Sequence, residues 1–151
     1  MLSTIGYEAA TLGDFIETLK LADVDILVDI RERAQSRRKG FSKTALASAL
    51  AKEGIDYVHF RELGDPKDGR EAARAGNWKK FRQIYAGVMA SQEAKQALDD
   101  IEKLLFQSSA CLLCYERDPK TCHRSIVAKE LSDRLKLQTK HLGVQKIGAA
   151  A

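Results

Sequence analysis

Toward its carboxyl end the chain reads CLLCYERDPKTCHR, Cys111 to Arg124, which gathers all three cysteines with His123, Glu116, Asp118, Arg117 and Arg124. Thiols, imidazole, carboxylates and guanidinium groups this close could ligate a metal, supply a nucleophile or hold an anion. A Cys-x2-Cys pair invites zinc, but zinc knuckles carry that pair on a tight turn. Here two leucines separate the cysteines within a strand pattern, so Cys111 and Cys114 are expected on opposite faces, where they cannot chelate together. Cys111 reads as a small hydrophobe of a buried strand. Cys114 and Glu116 share parity near the strand end and can face one rim. A metal site built from Cys114, Cys122 and His123 stays open as an alternative, although adjacent Cys-His ligands make an unusual set.

Asp118 and Pro119 suit the cap and first position of a helix, with Thr121 an alternative cap. Cys122, His123 and Arg124 then fall in or just before its opening turns, where free N–H groups and the helix dipole favour negative charge. A thiol there, beside an imidazole and a guanidinium, ionises more easily than a free cysteine. Cys122 is therefore the candidate nucleophile or redox-sensitive thiol, His123 and Glu116 the candidate proton carriers, and Arg124 an anion clamp. The tight Cys-to-Arg cradle of thiol phosphatases does not fit, because Glu116 and Asp118 stand between Cys114 and Arg124 and would repel a phosphate. The plain alternative has Cys122 packed under the helix, His123 solvated, and Arg124 paired with Asp118 or Glu116.

A second concentration of charge, RERAQSRRK at residues 31 to 39, follows the apolar run DILVDI. Asp29 and Arg31 share strand parity, so the carboxylate can orient the guanidinium while staying ionised. Arg31 and Arg37 are candidate anion ligands; Arg33, Arg38 and Lys39 read as solvated or steering charges.

The elements that must position these groups follow from periodicity. Leu2 to Ile5 reads as a strand ending at Gly6 and Tyr7, and Thr11 with Asp14 resembles a capping box before Leu12, Phe15, Ile16 and Leu19 at helical spacing. DILVDI suits a strand covered on both faces. Ser42 is placed to cap a second helix and Gly54 to stop it. IDYVHF reads as a third strand, ELGDPKDGR as a loop, and Trp78, Phe81, Tyr85, Val88 and Met89 as one helical face, with another helix from Ser91. ACLLCY reads as a fourth strand, residues from about Pro119 to Leu137 as a helix, and TKHLGV as a short last strand.

Strands alternating with helices predict an α/β fold in three layers, with a mainly parallel sheet of about five strands and helices on both faces. In such sheets ligands bind beyond the carboxyl ends of the strands. That edge collects Tyr7, Asp29, Arg31, Leu63 to Asp65, and Glu116 through Arg124.

With 151 residues, 44% of them hydrophobic and 30% charged, the chain fits one domain over residues 1–151, with 144–151 expected as a flexible tail. The start lacks the cationic and apolar regions of a secretory signal, and no segment could span a bilayer. A cytoplasmic protein with free or ligating cysteines is the expectation. A net charge of +4 permits an anionic small molecule or nucleic acid as partner but does not demand one. No cofactor is called for by any motif.

Taken together, TIGY at the start, DIR followed by SR, LG after the third strand and LLCYERDPKTCHR near the end resemble the family catalogued as domain of unknown function 488 over nearly the whole chain. Ile30 stands where that family usually has valine. The resemblance implies a small bacterial or archaeal α/β protein and carries over Asp29, Arg31, Arg37, Cys114, Glu116, Cys122, His123 and Arg124; it supplies no reaction. The leading expectation is an enzyme acting on a phosphorylated or otherwise anionic substrate. A non-enzymatic nucleic-acid-binding module and the metal-binding domain are the alternatives.

Overall fold

The structure, a computed structural model, describes residues 1–146. Five parallel strands form one sheet in the order β3-β2-β4-β1-β5: β1 Leu2–Gly6, β2 Ile26–Asp29, β3 Asp56–His59, β4 Ala110–Cys114 and β5 Thr139–Leu142. Strands β1 and β4 are buried throughout. This explains why they read as continuous apolar runs rather than alternating patterns.

Alternation is nevertheless present inside the runs. Leu2, Val28, Ala110 and Leu112 face one core, which holds Phe81 and Tyr85 of α4 (Trp78–Ala90), Leu98 and Ile101 of α5 (Gln92–Gln107) and Val127 and Leu131 of α6 (Arg124–Leu135). Ile5, Leu27, Cys111 and Leu113 face the other, with Phe15 and Leu19 of α1 (Leu12–Leu21) and Leu46 and Leu50 of α2 (Lys43–Ala51). Two apolar cores separated by one sheet make the three-layer α/β fold. Cys111, fully buried, is one of the side chains filling the second core.

Local chemistry accounts for most element ends. Thr11 accepts the Asp14 N–H and Ser91 the Ala94 N–H at the starts of α1 and α5. Gly54, at φ +72, follows α2 in the left-handed region. Three readings are corrected. Ser42 precedes α2 but makes no side-chain cap; its hydroxyl bonds the backbone of Ser36 instead. The segment read as a loop contains a short 3₁₀ turn, Arg61–Leu63, and an eight-residue helix α3, Lys67–Arg74. The helix expected from Pro119 is split: Asp118 caps only a 3₁₀ turn, Pro119–Thr121, Cys122 is extended, and α6 begins at Arg124.

Of the expected tail, residues 147–151 lie outside those described. Val144 packs against the α1/α2 core, and the Gln145 N–H donates to the Thr18 hydroxyl at 3.1 Å. Among the described residues no helix is long and apolar enough to cross a membrane.

Candidate functional site

Strand order locates the site. From β2 the chain leaves through α2 on one face toward the β3 edge, whereas from the neighbouring β4 it leaves through α6 on the other face toward the β5 edge. Where adjacent strands send their connections to opposite faces, a crevice is framed at their carboxyl ends; in this chain its side chains close it, Asp29, Arg31, Cys114, Cys122, His123 and Arg124 being at most 6% exposed. The rim of that crevice carries Asp29, Ile30 and Arg31 from β2 and Cys114 to Glu116 from β4. His123, at the start of α6, ties the two sides together, its Nε2 lying 2.8 Å from the Ile30 carbonyl oxygen.

Cys114 and Cys122 are joined as a disulfide, with their Cα atoms 7.3 Å apart. The expectation of three free or ligating thiols therefore holds without change only for Cys111. The joining follows from two local facts: parity turns Cys114 away from Cys111 and toward the α6 side, and the extended backbone at Cys122 (φ −130, ψ 146) interrupts the helix just where the sulfur must reach back. Around the pair, Arg124 Nη1 stands 3.3 Å from Cys114 Sγ, His123 Nδ1 3.6 Å from Cys122 Sγ, and Glu116 Oε2 3.7 Å from Cys114 Sγ. Sγ of both cysteines and a ring nitrogen of His123 lie within 4.8 Å of one another.

Two of these three partners, Arg124 and His123, are buried. Arg124 is fully enclosed and donates from Nε to the Thr4 hydroxyl, from Nη1 to the Glu116 carbonyl and from Nη2 to the Arg117 carbonyl. It makes no ion pair with Asp118 or Glu116, and burial lowers its pKa. His123 is enclosed rather than solvated, and burial pushes it down to about 4, so the ring is neutral at pH 7. Glu116 is half-buried, and desolvation raises its carboxyl, assisted by Glu8 and opposed by Arg124.

Arg31 is held with equal completeness. Its Nε and Nη2 meet both carboxylate oxygens of the fully buried Asp29, at 2.7 to 3.1 Å, and Nη1 donates to the Phe41 carbonyl at 2.7 Å. Burial works against its charge, but the Asp29 carboxylate prevails and raises its pKa. Tyr7 lies under the guanidinium at 5.3 Å, is stacked on Phe41, and has its hydroxyl 3.4 Å from Nη1. Arg37 is exposed and stands apart from the sulfurs. With Arg38, Lys39, Ala10, Thr11 and Leu12 it lines a hollow of about 520 Å³.

The crevice thus brings together Asp29, Arg31, Tyr7, Cys114, Glu116, Cys122, His123 and Arg124. It also contains Tyr57, His59 and Tyr85, which were not singled out as site residues, and Asp65, which the sequence places on this edge without a role. Tyr57 and His59 on β3 bond Asp29 Oδ2 and the Arg31 carbonyl. Tyr85 packs 5.2 Å from the His123 ring and donates to the Leu63 carbonyl. Asp65, 6% exposed, has Oδ1 without a hydrogen-bond partner; burial, with Glu116, Glu32 and Asp68 nearby, pushes it up to about 7 against the pull of Arg70. Parity on β3 was the available signal for Tyr57 and His59, but it becomes usable only once β3 is known to adjoin β2.

Comparison with curated proteins and with solved structures returns no match. The family model described as "Domain of unknown function DUF488" matches residues 11–131, which span α1 through most of α6 and include every residue of the crevice except Thr4 and Tyr7; the chain belongs to that family.

Proposed function

We propose that the protein is a thiol–disulfide exchange enzyme whose working pair is Cys114 and Cys122. The observation carrying this reading is that the two sulfurs are bonded at the switch point of the sheet, with a guanidinium against one and an imidazole against the other. Exchange proceeds by attack of a partner thiolate on one sulfur and departure of the other as thiolate, and a sulfur of lower pKa leaves faster. Arg124 beside Cys114 makes that sulfur the leaving group. The incoming thiolate then attacks Cys122 Sγ, the Cys114–Cys122 bond breaks, and a mixed disulfide forms on Cys122 while Cys114 departs as thiolate. A second thiolate releases the partner and leaves the dithiol. In the reverse direction a disulfide-bearing molecule reoxidises the pair.

Glu116, a carboxyl with raised pKa beside Cys114, is suited to receive and return the thiol proton. Arg31 acts by holding the rim in shape, since its donors are directed at protein acceptors, and Arg124 does so through its carbonyl contacts while its Nη1 meets Cys114. Exposed Arg33, Arg37 and Lys39 supply the attraction for an anionic substrate, which makes the substrate class a disulfide or thiol carried on a negatively charged molecule.

The test uses a chromogenic aromatic disulfide mixed with the reduced protein. The dithiol is expected to release the aromatic thiol in a reaction that Cys122→Ser abolishes, that Cys114→Ser arrests at a stable mixed disulfide, and that Cys111→Ala leaves intact. A reaction surviving Cys122→Ser, or lost in a folded Cys111→Ala protein, would remove the assignment.

A further inference from the structure

We infer that the reduced pair, with His123, is a binding site for a thiophilic divalent cation of the zinc type, so that the same two sulfurs alternate between a disulfide and a metal centre. Zinc bound tetrahedrally at about 2.3 Å from sulfur and about 2.0 Å from nitrogen or oxygen sets neighbouring ligand atoms about 3.5 Å apart. Cys122 Sγ and His123 Nδ1 are 3.6 Å apart, and Cys114 Sγ and Glu116 Oε2 are 3.7 Å apart. Two edges of such a polyhedron therefore exist before any ion arrives. The sulfur-to-sulfur edge lengthens when the disulfide opens; Cys114, Cys122 and His123 already hold their ligand atoms within 4.8 Å of one another, and Glu116 lies outside that group. The Cα separation of 7.3 Å already exceeds the roughly 4.4–6.8 Å usual for a disulfide and suits two thiolates spaced by an ion.

The imidazole is presented in the way a ligand must be. Metal-bound histidines commonly donate their other ring N–H to a backbone carbonyl or carboxylate, which fixes the tautomer. The bond between His123 Nε2 and the Ile30 carbonyl does this and leaves the Nδ1 lone pair facing the sulfurs. Arg124 Nη1 at Cys114 Sγ is a hydrogen bond of the kind that supports a metal-bound thiolate. Two thiolates and a neutral imidazole fit zinc, cobalt(II) or cadmium better than magnesium or calcium, which require oxygen ligands. The fourth position is left for a water or, after a change of rotamer, for Glu116, whose carboxylate is already 3.7 Å from Cys114 Sγ. Binding releases the two thiol protons; oxidation of the pair by a disulfide transfers two electrons to that disulfide and expels the cation.

This inference rests on the exchange reading only in requiring that the pair can open, and one experiment separates the two. Protein reduced with an excess of dithiol and freed of it is divided, one half for thiol counting after denaturation, the other titrated with cobalt(II) anaerobically. The expected result is three thiols and one cobalt per chain with thiolate-to-metal charge-transfer absorption, displaced by zinc. Cys122→Ser and His123→Ala should each weaken binding on the order of 100-fold, Cys111→Ala should not, and a disulfide oxidant should release the ion. Three thiols without stoichiometric cobalt would overturn the metal site and leave exchange standing. One thiol, the pair remaining closed, would overturn exchange and the metal site together. Cobalt bound without thiolate absorption, or equally by His123→Ala, would overturn the ligand set.

Discussion

At the scale of single residues, the crevice is held by buried polar groups whose partners are nearly all inside the protein. Asp29 and Arg31 illustrate the cost: removing one member of an enclosed pair leaves the other charged and unmet, a loss of about 3–5 kcal/mol. Asp65 is the exception, since one of its oxygens has no partner and its carboxyl is held neutral up to about pH 7. In the unfolded chain it ionises near 3.8. Between those values the folded state binds the extra proton, so stability contributed by the neutral carboxyl declines as pH rises from about 4 to 7 and stays lost above. Asp65→Asn should remove that decline and make the protein more stable than its parent at pH 8. Urea unfolding of both proteins at pH 4, 6 and 8 checks this; parallel pH profiles would show that Asp65 ionises in the fold as freely as in the open chain.

At the scale of elements, close approach decides the site. A Cβ on Gly6 would overlap the Glu116 carbonyl and crowd Arg124 Nη1, and one on Gly64 would overlap the backbone of Glu32. The glycines in TIGY and ELG are thus the places where segment 115–121 and the start of the arginine loop press against neighbouring strand ends. Gly6→Ala should cost about 2 kcal/mol and push the segment outward, so that Cys122 of the reduced protein is alkylated faster. An unchanged alkylation rate would mean the segment does not depend on that contact. Sequence pattern revealed the strands and most helices because their apolar runs and periods are long. It did not reveal α3, whose buried residues are only Gly69 and Ala72, so no apolar stripe marks it. Nor did it foresee the bond between Cys114 and Cys122, which depends on a break between the 3₁₀ turn and α6 that composition does not signal.

At the scale of the whole molecule, the order β3-β2-β4-β1-β5 gathers the dispersed motifs. Asp29-Arg31 and Cys114-Glu116 lie far apart in sequence and share an edge because β2 and β4 are neighbours. Strand order was not legible in the sequence, which is why Tyr57 and His59 were not assigned alongside them. The same order places Arg33, Arg37 and Lys39 on the loop that follows β2, at the carboxyl edge of the sheet. An anionic substrate should accordingly react more slowly with the dithiol as salt is raised, whereas a neutral disulfide of similar size should not. Equal salt dependence for the two would detach the cationic loop from the chemistry.

The central claim is that Cys114 and Cys122 work as one two-electron couple while Cys111 takes no part. Equilibrating the protein in a graded series of dithiol–disulfide buffers, quenching with an alkylating reagent and mapping each cysteine by mass spectrometry tests it directly. The account predicts that Cys114 and Cys122 gain and lose the label together along a single two-electron curve, with Cys111 reduced throughout; independent curves, or label on both at every oxidising ratio, would contradict it.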